Sequence, residues 1–145
     1  MGESVSRRII GATLVAGTLD ILSAVVYTSI AGGTATGMLR SIAGAVMPGA
    51  KDAGLGGAAV GLGLHFAIMA VMAAFFVITA DRIPTLKTRW VIAGIAYGIG
   101  LWAVMNLVVL PLRFGWHPFK PLGLAEQFFS HIALVGLPIA WFARR

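Results

Sequence analysis

IIGATLVAGTLDILSAVVYTSI, residues 9–30, decides how this chain is read. Its 22 residues are apolar apart from small hydroxyl groups, one tyrosine and Asp20. A helix rises about 1.5 Å per residue, so the run spans a hydrocarbon core about 30 Å thick. Asp20 sits near its middle. A carboxylate at that depth costs roughly 2.5–3.5 kcal/mol on an insertion scale, so it must face protein, water or a partner and not lipid. A secretory signal peptide also begins with a basic pair, here Arg7 and Arg8, but its apolar core is about 7–15 residues and carries no acid. The run therefore reads as a retained membrane helix.

Three more runs of the same kind follow, at 55–80, 90–112 and 122–143. The 145 residues are 59% hydrophobic and 11% charged, with a mean hydropathy of +0.92. Soluble domains carry about 25% charged residues, so this chain has too little polar surface for one. The expected fold is an all-α membrane protein: one domain, 1–145, of four transmembrane helices in an antiparallel bundle. Between spans 1 and 2, Met38, Leu39, Ile42 and Val46 repeat at helical spacing around Arg40. They predict a short interfacial or re-entrant helix closed by Pro48-Gly49. The 113–122 segment, RFGWHPFKPL, carries Pro118 and Pro121 and reads as a stiff cap, with His117 at the headgroup level.

Charge sets the expected orientation. The N-terminus, the 81–89 loop and the C-terminus hold seven Lys and Arg, against four on the other side (Arg40, Lys51, Arg113 and Lys120). The positive-inside rule then places both termini in the cytoplasm, with Trp90, Trp141 and Trp116 in interfacial belts. The net charge of +6 comes from residues that flank the apolar runs. No basic face interleaved with aromatics is present, so nucleic acid is not an expected partner. With no cysteine, disulfides and thiolate chemistry are excluded.

Glycine has a packing role. Gly57-xxx-Gly61 and Gly94-xxx-Gly98 match the small-xxx-small spacing that lets membrane helices approach closely. GLGGAAVGLG (54–63) opens a membrane helix and follows no strand, so it is not a dinucleotide loop.

The polar residues inside the spans fall at related depths. Counting from span ends at 1.5 Å per residue, Asp20, His65 and His131 lie roughly 13–16 Å deep, near the bilayer middle. Asn106 is shallower, and Glu126 lies about one and a half turns before His131. These five are the candidate polar-layer residues for proton or ion handling. Interhelical hydrogen bonding would also account for each singly. Carboxylate and imidazole together make proton-relay chemistry. Two His and a carboxylate are also a transition-metal donor set, and His65 with His131 a bis-His haem pair. Spacing across three helices decides neither. No catalytic constellation or cofactor motif appears, so no cofactor is expected.

GTLDIL (17–22), MLRSIAG (38–44), GLHF (63–66), GIAYG (94–98), MNLVVLPL (105–112) and GLPIAWFARR (136–145) together resemble the YagU-like group of small bacterial inner-membrane proteins. Asp20, Arg40, His65, Tyr97, Asn106, Pro111 and His131 are the matching positions. The longer members carry a periplasmic insertion between spans 1 and 2 that this chain lacks. The resemblance implies a multi-pass protein of the bacterial inner membrane and imports no reaction. Two functions follow as expectations. One is proton, ion or small-solute handling through the Asp/His layer by a homo-oligomer. The other is an accessory or scaffolding subunit of a larger membrane complex.

Overall fold

The computed structural model describes residues 3–116 and 118–145. His117, expected at the headgroup level, lies outside the described residues. The regular elements are α1 (Val5–Ile30), α2 (Ala35–Ala43), α3 (Gly54–Arg82), α4 (Pro84–Thr88), α5 (Trp90–Phe114) and α6 (Pro121–Ala143). Of these, α1, α3, α5 and α6 are long and apolar enough to cross a membrane. They match the four expected spans to within a few residues at each end. This is an all-helical, multi-pass membrane fold.

Local chemistry explains the boundaries. The Ser4 hydroxyl accepts from the Arg7 amide at the start of α1, and Thr34 does the same for Gly37 at the start of α2. Proline opens both α4 and α6 at a position whose amide has no helical partner anyway. The expected helix between spans 1 and 2 is present as α2. It ends at Ala43, and Gly49, with a φ of 76°, makes the left-handed turn after Pro48 that sends the chain into α3. Two stretches widen into π-helix, Val104–Val109 in α5 and Ser130–Gly136 in α6. Each lies just before a proline, Pro111 or Pro138. A proline lacks the amide proton and crowds the carbonyl four residues back, here on Leu107 and Leu134. The wider turn re-pairs that backbone.

Packing fixes the helix order. α1 packs on both α3 and α6, which also meet each other toward the end of α6, and α5 packs on the other flank of α6. Ala12 and Ala16 of α1, Ala73, Val77 and Ala80 of α3, and Val135, Ile139 and Ala140 of α6 form the core. These small side chains let the backbones come close, the usual solution where lipid removes the hydrophobic drive for association. α5 meets α3 through Tyr97, whose ring centroid is 4.7 Å from that of Phe76 and whose hydroxyl donates to the Met72 carbonyl at 2.8 Å.

Both glycine motifs act at close backbone contacts. A Cβ on Gly98 would collide with the His131 carbonyl and come within 2.7 Å of the Ile132 Cα, and Gly136 faces the backbone of Gly94 and Gly98. A Cβ on Gly61 would overlap the Leu39 carbonyl, so α2 crosses α3 there with backbone on backbone. Gly61 is seven residues into α3, about 10 Å along it. α2 is thus folded against the flank of the bundle. Arg113, near the end of α5, holds it there by donating to the Gly44 and Ala45 carbonyls at 2.6 and 2.7 Å.

The start of α1 and the end of α6 share one end of the bundle. Arg8 of α1 is 4% exposed and donates to both Asp81 carboxylate oxygens, at 2.9 and 2.6 Å, and to the Ala143 carbonyl at 3.0 Å. Lys87 pairs with the same carboxylate at 2.5 Å. Arg144 lies over the Trp90 ring, and Arg145 over that of Trp141. We call this the terminal end, and the end carrying α2 and residues 113–116 and 118–121 the distal end.

Candidate functional site

Gly17 prepares the site. A Cβ at that position would stand 2.7 Å from the Phe66 ring, so glycine lets α3 close on α1. His65, the neighbour of Phe66, then reaches the Gly17 carbonyl with Nε2 at 2.9 Å. Its Nδ1 lies 4.0 Å from Oδ2 of Asp20, one turn further along α1. A carbonyl oxygen only accepts, so Nε2 carries the proton and Nδ1 is the basic nitrogen facing the carboxylate. His131 is arranged the other way round. Its Nδ1 donates to the Gln127 carbonyl at 2.9 Å, which leaves Nε2 as its free basic position.

Two cavities meet at these residues. The inner one, about 160 Å³, is lined by Asp20, His65 and His131 with Met69, Met72 and Val135 among its apolar walls. The second, about 300 Å³, extends from Asp20 and His131 toward the distal end, past Tyr27, Thr28, Glu126 and Gln127. Asp20 and His131 therefore line both cavities, while His65 lines the inner one. Beside them Ser23 and Ser130 share a 3.0 Å hydrogen bond that joins α1 to α6. Toward the terminal end the bundle is packed by Ala73, Phe76, Val77 and Ala80.

The five sequence candidates divide three ways. Asp20, His65 and His131 come together around one cavity. Glu126 joins them on the distal side, lining the second cavity with Asp20 and His131. Asn106 does not join them. Its amide donates to the Trp102 carbonyl on its own helix at 3.1 Å, and it opens on a different cavity of about 530 Å³ with Pro118, Phe119 and Lys120. Sequence reading missed Ser23, Tyr27 and Gln127, because small hydroxyls and end-of-span polar residues carry no depth penalty that would single them out; Ser130, which adjacency to His131 would put on another helix face, lines the same cavity as His131.

What the arrangement can do is hold and pass a proton. It offers one carboxylate and two imidazoles, each ring with one nitrogen anchored to a carbonyl and one left basic. Among the described residues, no three His, Asp or Glu side chains gather closely enough to ligate a metal ion. The 160 Å³ between the rings is also far too small for a porphyrin. Comparison with protein families, with curated proteins and with solved structures gives no match to this chain.

Proposed function

We propose that this chain is a proton-handling protein of the bacterial inner membrane, with both termini in the cytoplasm and Asp20 as its central proton carrier. One observation carries the reading: Asp20 lines a cavity that runs toward the distal end and also the inner cavity where His65 Nδ1 faces it at 4.0 Å. A proton entering from the distal end passes Glu126 and then reaches the level of Asp20. It then has two basic acceptors, Nδ1 of His65 and Nε2 of His131. An intramembrane carboxylate is costly, and its placement among titratable partners supports a functional role over simple packing.

The floor toward the terminal end is closed by tightly packed small and aromatic side chains, so passage across the bilayer requires that floor to open. The π-helical stretches of α5 and α6 flank the site and are the segments whose backbone pairing is already irregular. They are the natural hinges. A path assembled between copies fits the small size of one bundle, and a homo-oligomer belongs to this reading. The four apolar spans support the membrane assignment, and kinship with the YagU-like group belongs to this proposal.

The test is proton uptake by proteoliposomes under a pH gradient. Asp20→Asn is expected to lower flux at least tenfold while the protein still purifies folded. Unchanged flux in that variant overturns the reading. The accessory-subunit alternative is separated by mild-detergent purification: a partner polypeptide in fixed stoichiometry favours it, and a homogeneous self-assembly favours proton handling.

A further inference from the structure

The distal halves of α3 and α5 do not close on each other, because α2 is wedged beside them. What remains is a side groove of about 600 Å³ between α2, α3 and α5. Its walls are apolar, with Ile42 from α2, Leu64 and Ile68 from α3, and Met105 and Val109 from α5. Its rim carries two cations, Lys51 and Arg113, and no carboxylate lines it. Arg113 is not a loose surface charge. Its Nε and Nη2 are held by the Ala45 and Gly44 carbonyls, so its positive charge is fixed at the rim.

Depth matches the chemistry. Lys51 precedes the first residue of α3, and Arg113 is one residue from the end of α5, so both stand at the distal boundary of the spans. Leu64 and Ile68 lie 10 and 14 residues into α3, roughly 15–21 Å from that boundary. A groove running from the headgroup plane to the bilayer middle, cationic at the top and apolar below, has the shape of one leaflet's lipid. We propose that it is a binding site for an anionic phospholipid, with the phosphate between Lys51 and Arg113 and one acyl chain along Leu64, Ile68 and Met105. This site is independent of the proton reading.

The groove has a consequence for its neighbour. Ile42, Ile68 and Met105 line both the groove and the inner cavity at Asp20. A bound acyl chain lies against these three side chains and seals the polar cavity from the side.

The protein in phosphatidylcholine nanodiscs, doped with phosphatidylglycerol carrying a photoreactive group in one acyl chain, tests the site. Cross-links are expected to concentrate on Ile42, Leu64, Ile68 and Met105. A juxtamembrane cation near an anionic headgroup is worth about a five-fold change in occupancy, so Lys51→Ala should reduce this labelling about five-fold, and Lys51→Arg should restore it. Lys51 is exposed, so its replacement is expected to leave the bundle intact. Leu64→Trp, which fills the groove, should abolish the labelling. Equal labelling by the matching phosphatidylcholine probe overturns the proposal. So does labelling spread evenly over the lipid faces of α1 and α6, or labelling indifferent to Lys51.

Discussion

His65 Nε2 and the Gly17 carbonyl, 2.9 Å apart, tie α3 to α1 one turn from Asp20 and fix which ring nitrogen faces the carboxylate. The bond therefore has a structural and a chemical consequence, and substitutions separate them. Glutamine can donate an amide proton to the same carbonyl but cannot exchange protons at neutral pH. His65→Gln should keep thermal stability within about 1 kcal/mol and lower proton flux at least tenfold. His65→Leu loses both functions and should cost a further ~0.6–1.7 kcal/mol, the range for interhelical hydrogen bonds in membrane proteins. Thermal unfolding in detergent and flux in proteoliposomes read the two effects on the same preparations. If His65→Gln carries protons like the parent, the His65 step is wrong while the hydrogen bond stands.

Glycine positions make a sharper packing test, because neighbours on the same helix face different surroundings. Gly98 and Gly61 each face backbone that a Cβ would strike, whereas nothing lies within 4 Å of a Cβ added at Gly100 or Gly63. Gly98→Ala should destabilise by about 1–3 kcal/mol, since backbone cannot swing away as a side chain can. Gly61→Ala should displace α2 and raise amide exchange over residues 35–47. Gly100→Ala and Gly63→Ala should be neutral or slightly stabilising, as alanine favours the helix. Equal effects at all four positions would remove the close approach as the reason for these glycines.

The spans were readable because about 20 apolar residues in a row have few other uses, and their ends are marked by charge and proline. Depth was readable too, since rise per residue is fixed, and it brought Asp20, His65 and His131 to one level. Direction around each helix axis was not. Asn106 lies at a plausible depth, yet it turns to its own Trp102 carbonyl and a separate cavity. The helix order that decides such facing is set by packing surfaces such as Gly98 on His131, which no single run reveals. The π stretches add a second obstacle. Ser130–Gly136 begins between Glu126 and His131, so a regular helical wheel misplaces one relative to the other.

Orientation across the bilayer can be probed cleanly because the chain has no native cysteine. Thr85 in α4 and Lys51 beside α2 are both exposed and stand at opposite ends of the bundle. Lys51→Cys should react with a membrane-impermeant maleimide in intact cells, and Thr85→Cys only after the membrane is opened. The reverse pattern would place the termini outside and invert the direction of proton entry.

The Arg8–Asp81 pair predicts an asymmetry between its members. Arg8 is buried and needs its planar fork, with one nitrogen on Oδ1 of Asp81 and the Ala143 carbonyl together and the other on Oδ2. A lysine has a single ammonium and cannot reproduce that pattern. Arg8→Lys should therefore cost about 1.5 kcal/mol, the lower end of what a hydrogen bond to a charged group is worth. Asp81→Asn should cost more, about 3 kcal/mol, because it removes the counter-charge of a buried guanidinium and turns one of its two acceptor oxygens into a donor. Lys87 contacts the same carboxylate but is part-exposed, so Lys87→Ala should cost under about 1 kcal/mol and fade further in high salt. Unfolding midpoints of the three variants at two ionic strengths check this order. If Lys87→Ala proves as costly as Asp81→Asn, the joint at the terminal end is held by the exposed pair, and the buried arginine is not its anchor.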